Sequence, residues 1–157
     1  MCSNSKCYLY SIKLLAQNEY SEHKLRTKLL QKQFSNEEID NTLNTVIEKG
    51  YLNEKNYIRM RIRGLARKNY SMTYIQQSLL NEKLNVSTDK IEETFNEMGQ
   101  SEDTQINDLI EKKLTVLQIR CEADKARNKI LRHLISKGHS YNKISSILNN
   151  NFDIKFQ

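Results

Sequence analysis

The sequence predicts an all-α protein, and three observations carry that expectation. Proline is absent and glycine occurs four times in 157 residues, so the chain has few places to break a helix. Apolar residues recur at helical spacing along most of its length. One helix-start signature returns five times: an aromatic or apolar residue, then Ser, then an aliphatic residue four positions on.

The elements follow in chain order. Tyr20-Ser21 points to Leu25, and Leu29 and Leu30 continue the pattern. Phe34-Ser35 points to Ile39, followed by Leu43, Val46 and Ile47, with Gly50 as a C-terminal stop. Tyr70-Ser71 points to Ile75, then Leu79 and Leu80. Val86-Ser87 points to Ile91, Phe95 and Met98, then Gly99. His139-Ser140, the weakest of the five, points to Ile144, Ile147 and Leu148. In each case the Ser hydroxyl can accept from an unpaired N–H of the first turn. The flanking apolar pair acts as a hydrophobic staple, and Glu38 completes a capping box with Ser35.

The pattern repeats without gaps. A shift of 50 lays Ile12, Leu15, Ala16, Tyr20, Ser21, Leu29 and Leu30 on identical residues from Ile62 to Leu80. A shift of 105 lays Lys24, Leu29, Lys32, Ser35 and Ile39 on Lys129, Leu134, Lys137, Ser140 and Ile144. The chain therefore reads as three tandem three-helix, helix-turn-helix-like repeats, at 7–50, 53–99 and 102–150, with flexible tails at 1–6 and 151–157. Each repeat is too small for a good core of its own. Stacking is expected to bury the joins and give an elongated, curved array.

Charge is segregated. The net charge is +6. Arg59, Arg61, Arg63, Arg67 and Lys68 fall within ten residues that hold no acid. Lys125, Arg127, Lys129 and Arg132, followed by Lys137 and Lys143, form a second acid-free run. Acids gather elsewhere, notably in 37–48 and 89–97. Arg59, Arg63 and Arg67 are spaced by four, so they line one stripe of a helix whose other face is Ile58, Ile62, Leu65 and Ala66. Like charges at that spacing cost a few tenths of a kcal/mol per pair. A polyanionic partner, nucleic acid or an acidic protein surface, would account for them. The alternative is a solvated face that happens to be basic. Gly64, inside the same helix, suggests close packing of a neighbour.

Catalytic constellations are absent from the sequence. There is no Gly-rich phosphate loop, no HExxH and no GxSxG. Cys2, Cys7 and Cys121 make neither a disulfide framework nor a zinc set, and Cys121 reads as half-buried packing. His23, His133 and His139 are dispersed and read as surface or boundary residues. No cofactor and no metal are expected. With neither a leader nor an apolar span, the expected setting is cytoplasmic, away from membranes, as a monomer.

Three separated motifs resemble one family. GYLNEKNYI at 50–58 with RxRxxARKxYS after it, LLQKQFSNEEIDNTL at 29–43 and ISKGHSYNKISSIL at 135–148 are similar to the RecX family of recombination regulators, in the same order and over about 8–149. The resemblance implies three three-helix repeats and no enzyme activity. It implies binding along the groove of the RecA nucleoprotein filament, limiting RecA's ATP hydrolysis, strand exchange and coprotease activity. Arg59, Arg63, Arg67 and Lys68 are the contacts that the stripe suggests, consistent with the family's basic second repeat. Gln33 and Asn69 stand where the family usually has Gly after a helix. Asn tolerates the left-handed conformation, whereas Gln33 is expected to give a strained or differently shaped turn. Residues 84–86 carry extra length before Ser87.

Two other functions fit the same elements. A stand-alone DNA-binding protein would use the basic helices directly. Its first helical turns after Ser35 and Ser87 carry Glu37, Glu38 and Asp89, which a major groove would repel. A purely structural helical adaptor would leave the basic stripe without a role.

Overall fold

The computed structural model describes residues 5–117 and 123–152; Cys2, Cys121 and the outer parts of both expected tails lie outside them. The described residues form helices and no strands: α1 Lys6–Gln17, α2 Glu22–Gln31, α3 Asn36–Glu48, α4 Glu54–Ala66, α5 Met72–Asn81, α6 Thr88–Glu97, α7 Glu102–Leu117, α8 Ala123–Ser136 and α9 Tyr141–Phe152. The expected repeat limits fall in the gaps after α3 and after α6.

All five expected Ser residues cap helices. The hydroxyls of Ser21, Ser35, Ser71, Ser87 and Ser140 accept from the N–H of Lys24, Glu38, Tyr74, Lys90 and Lys143 at 3.1–3.4 Å. Ser35 also donates its own N–H to the Glu38 carboxylate at 2.9 Å, closing the capping box. Those donors hold the exposed Glu38 carboxyl below its ordinary range. Ser5, Asn53 and Ser101 cap α1, α4 and α7 in the same way, accepting from Tyr8, Asn56 and Thr104.

At the α2–α3, α4–α5 and α8–α9 junctions the other half is a left-handed residue. Gln33, Asn69 and Gly138 have φ of 63°, 56° and 87°. After α2 the Gln33 N–H donates to the Leu30 carbonyl and the Phe34 N–H to the Leu29 carbonyl, which is a Schellman closure. Asn69-Tyr70 after α4 and Gly138-His139 after α8 repeat it. The turn at Gln33 thus keeps the glycine shape, with the strain in one residue. Lys83 (φ 64°) stands in the same conformation after α5.

The chain divides into two compact units. The first takes the chain through Arg61 together with Glu82–Leu84. Its core is Cys7, Tyr8, Leu25, Leu29, Ile39, Leu43, Val46 and Leu52, with Tyr10, Tyr20 and Phe34 packed against it. The second takes Ile62–Asn81 and the chain from Asn85 onward. It contains the cluster of Ile106, Leu109, Ile110, Leu114, Ile130, Leu134, Ile144 and Leu148. Ile62, Ile75, Leu79, Ile91 and Phe95 are also buried there. The boundary cuts α4 between Arg61 and Ile62. Leu30, Leu80 and Ile47, which helical spacing assigned to apolar faces, are 47%, 52% and 44% exposed.

Two substitutions at one junction should move stability in opposite directions. Ser35→Ala removes a cap and should cost about 1 kcal/mol. Gln33→Gly relieves a left-handed side chain and should gain about 0.5–1 kcal/mol after glycine's own entropy cost. Thermal denaturation of both variants checks the pair. A lower melting temperature for Gln33→Gly would contradict the strain assigned to that turn.

Candidate binding interface

The basic run of α4 is less free than its sequence suggests. In the first unit, Arg59 is exposed, whereas Arg61 is half-buried and bonded to the Glu82 carboxylate at 2.8 Å. Glu82 also accepts from the Tyr57 hydroxyl at 2.6 Å and pairs with Lys24 at 3.0 Å. Burial pushes the Glu82 carboxyl up, but Tyr57, Lys24 and Arg61 together outweigh it and leave it lowered. Burial likewise opposes the charge on Lys24, and Tyr57 and Glu82 reverse that and raise it. Arg61 is therefore a partner in a satisfied internal network. In the second unit, Arg63 reaches Glu97 at 3.1 Å and is half-buried. Arg67 and Lys68, just past the end of α4, are exposed and take part in no ion pair among the described residues.

On α8 the basic residues follow the helical period. Lys125, Lys129 and Arg132 are exposed, and their spacing puts them on one face of the helix. The opposite face, Ala126, Ile130 and Leu134, is buried. Arg127 is half-buried and donates to the Asn149 side-chain oxygen at 2.6 Å.

Within the second unit, two helix junctions lock together. The Ser71 N–H donates to the Lys137 carbonyl at 3.0 Å, and the Ser71 hydroxyl to the Gly138 carbonyl at 2.8 Å. A Cβ on Gly138 would lie 2.6 Å from the Ser71 hydroxyl and 2.7 Å from the Tyr74 Cβ, so only glycine allows this approach. The Lys137 ammonium stands 4.0 Å from the centre of the Tyr70 ring. The turns that follow α4 and α8 therefore meet, with Lys137 over the Tyr70 ring and with Arg67 and Lys68 in the chain that leads into the first of these turns. Cations there also suit the negative ends of both helix dipoles.

His139 is the buried pin of the joint, 3% exposed rather than the boundary residue its sequence context suggested. Its Nε2 lies 3.0 Å from the Asn69 carbonyl and its Nδ1 3.2 Å from the Glu102 carboxylate. A carbonyl can only accept, so Nε2 carries the hydrogen on that side. Glu102 also binds Lys143 at 3.0 Å. Its carboxyl is pushed down to about 2, first by the His139 contact, with burial opposing and Lys143 assisting. Gln105 of α7 adds a bond to the Ala66 carbonyl at 3.0 Å. The shift-by-50 and shift-by-105 repeats hint at the Ser71 and Ser140 caps. No local pattern shows that Glu102, Asn69 and His139 meet.

No group of His, Cys, Asp and Glu able to hold a metal is found among the described residues. Cys7 is buried, and burial pushes its thiol up, away from a nucleophile's range. No described helix is long and apolar enough to cross a membrane.

The comparisons with known proteins agree on one family. Residues 7–44 match the model of the first three-helix domain of RecX. The chain is 28% identical over 148 residues to the regulatory protein RecX of Haemophilus influenzae strain PittGG, covering 94% of this chain and 96% of that one. It is 26% identical over 149 residues to the RecX of Mannheimia succiniciproducens, and 38% identical over 77 residues to that of Trichlorobacter lovleyi. The crystal structure of RecX from Lactobacillus salivarius shares the fold, with a TM-score of 0.68 at 20% identity over 92% of this chain and 93% of that one.

The joint gives a pH dependence with a defined sign. The Glu102 carboxyl is lower in the folded protein than its ordinary value of 4.5. Its stabilisation is complete above about pH 4.5 and is lost as pH falls from there toward 2, at most about 3 kcal/mol. The stability difference between wild type and Glu102→Gln, measured by urea unfolding, should shrink across that window. A constant difference from pH 5 to pH 2.5 would contradict the assignment.

Proposed function

We infer that the chain is a member of the RecX family and a non-enzymatic regulator that binds the RecA–DNA filament and restrains RecA's ATP hydrolysis, strand exchange and coprotease activity. The same reading takes α1–α3, α4–α6 and α7–α9 as three consecutive repeats. What supports the binding role is that Arg67 and Lys68, exposed just past α4, lead into the turn against which Lys137 packs in the second unit. A filament of RecA on DNA offers both phosphate and acidic protein surface to such a cluster. The exposed face of Lys125, Lys129 and Arg132 on α8 supplies further positive charge in that unit. Arg59 remains a candidate contact, while Arg61 and Arg63 act first by holding Glu82 and Glu97.

Sequence-specific reading of a duplex by this chain alone is the weaker alternative. The first turns of α3 and α6 carry Glu37, Glu38 and Asp89, which repel phosphate.

The test adds the purified protein to the host's RecA with single-stranded DNA and ATP and follows hydrolysis. Wild type should inhibit, less strongly as salt rises. Replacing Arg67 and Lys68 by Glu leaves the buried face of α4 intact, and should raise the inhibitory concentration at least about tenfold, or 1.4 kcal/mol. A folded double variant that inhibits at wild-type concentrations would remove this cluster from the interface. No inhibition by wild type would overturn the functional reading.

A further inference from the structure

We propose that Tyr74 is a stacking site for an unpaired nucleobase, so that this joint binds single-stranded DNA through a base as well as through phosphates. The inference deepens the filament reading, and rests on it only in that a RecA filament presents such a strand.

The Tyr70 and Tyr74 rings are stacked, with centroids 4.3 Å apart and planes 17° apart. The Lys137 ammonium lies 4.0 Å from the centroid of Tyr70. A ring and an ammonium so close to one centroid cannot share a face. The order is therefore Lys137, then Tyr70, then Tyr74. Tyr74 ends the stack and is 39% exposed although Tyr70 covers one of its faces. A second flat ring placed against the outer face of Tyr74 would continue the stack.

The platform is fixed before any ligand arrives. Tyr74 lies in the first turn of α5, and its N–H donates to the capping Ser71 hydroxyl at 3.1 Å. Ser71 is bonded in turn to the backbone of residues 137 and 138. The close approach of Gly138 to the Tyr74 Cβ limits movement at the base of the side chain. Little ordering entropy remains to be lost on binding.

The surroundings select the ligand. From Arg67 to Asn81 the chain contains no acid, and Arg67 and Lys68 stand exposed three and two residues before Tyr70. Three residues of chain span at most about 11 Å, so both cations can reach phosphates flanking a base on Tyr74. One turn along α5, the neighbours of Tyr74 are Gln77 and Ser78. A protein hot spot would want apolar neighbours that exclude water, and here they are polar. An aromatic face among cations on polar ground is the pattern that binds single strands with little sequence preference. A duplex keeps its base faces stacked inside and cannot use it.

The test needs no recombinase, which separates it from the filament reading. The full chain is titrated at low salt against a labelled oligothymidylate and against an abasic strand with the same number of phosphates, and anisotropy is read. Wild type should bind the thymidylate about tenfold more tightly than the abasic strand. Tyr74→Phe should keep that gap. Tyr74→Ala should close it while leaving abasic-strand binding unchanged. Tyr74→Leu, which keeps bulk without an aromatic face, should do the same and serves if the alanine variant does not fold. Equal wild-type affinity for the two strands, no binding to either, or a gap that survives in Tyr74→Leu each overturns the proposal. The filament reading fails separately, through loss of inhibition in the hydrolysis assay.

Discussion

The structure depends on a three-residue constraint: a helix must end and the next begin within one left-handed residue, one bulky residue and one Ser. The left-handed residue lets two N–H groups turn back to the carbonyls of the helix just finished. The bulky residue packs at the turn, and the Ser hydroxyl takes an orphan N–H of the next helix. Gln33-Phe34-Ser35, Asn69-Tyr70-Ser71 and Gly138-His139-Ser140 are three versions of it. They differ in what else is asked of them. Gln33 has only to turn the chain, and a strained side chain suffices. Gly138 must also let Ser71 and Tyr74 approach within the space a Cβ would take. The joint of the second unit, with its buried His139, its charged Glu102 and its ring stack, rests on that glycine.

Charge follows the same division between local and distant. The sequence around α4 is acid-free, which suggested a wholly positive stripe. Glu82 and Glu97, each about twenty to thirty-five residues away in sequence, fold back onto Arg61 and Arg63. These pairs convert two of the five cations into internal struts. Arg67 and Lys68 lie beyond the last turn of α4 and are left outward. A local count of charge therefore overstates an interface wherever tertiary partners arrive from another helix.

The elements that were legible in the sequence are those set by neighbours in the chain. The helix starts at Ser21, Ser35, Ser71, Ser87 and Ser140 depend on a residue three positions on, and they were readable. Ser5 and Ser101 cap equally well but follow polar residues, and Asn53, though flanked by Leu52 and Tyr57, is not a Ser, so the pattern passed over them. Leu30, Leu80 and Ile47 have helical spacing, yet each stands at the edge of its apolar face and remains exposed. Helical period alone does not say how wide the buried stripe is. The second-unit joint was not legible, because Ser71 and Gly138 are 67 residues apart and no local rule pairs them. The family resemblance supplied the class of partner, whereas the exposed cations and the Tyr74 face came from the geometry.

Amide hydrogen exchange at Ser71 tests the central claim most directly. An N-cap amide has no partner within its own helix, so its default is rapid exchange. Here the Ser71 N–H is held by the Lys137 carbonyl at 3.0 Å. The account predicts that this amide is protected to the level of the core amides of α5, and that Gly138→Ala, by forcing the two junctions apart, exposes it while the interior of α5 stays protected. A Ser71 amide that exchanges as fast as a free one in the wild type would contradict the joint on which the second unit is built.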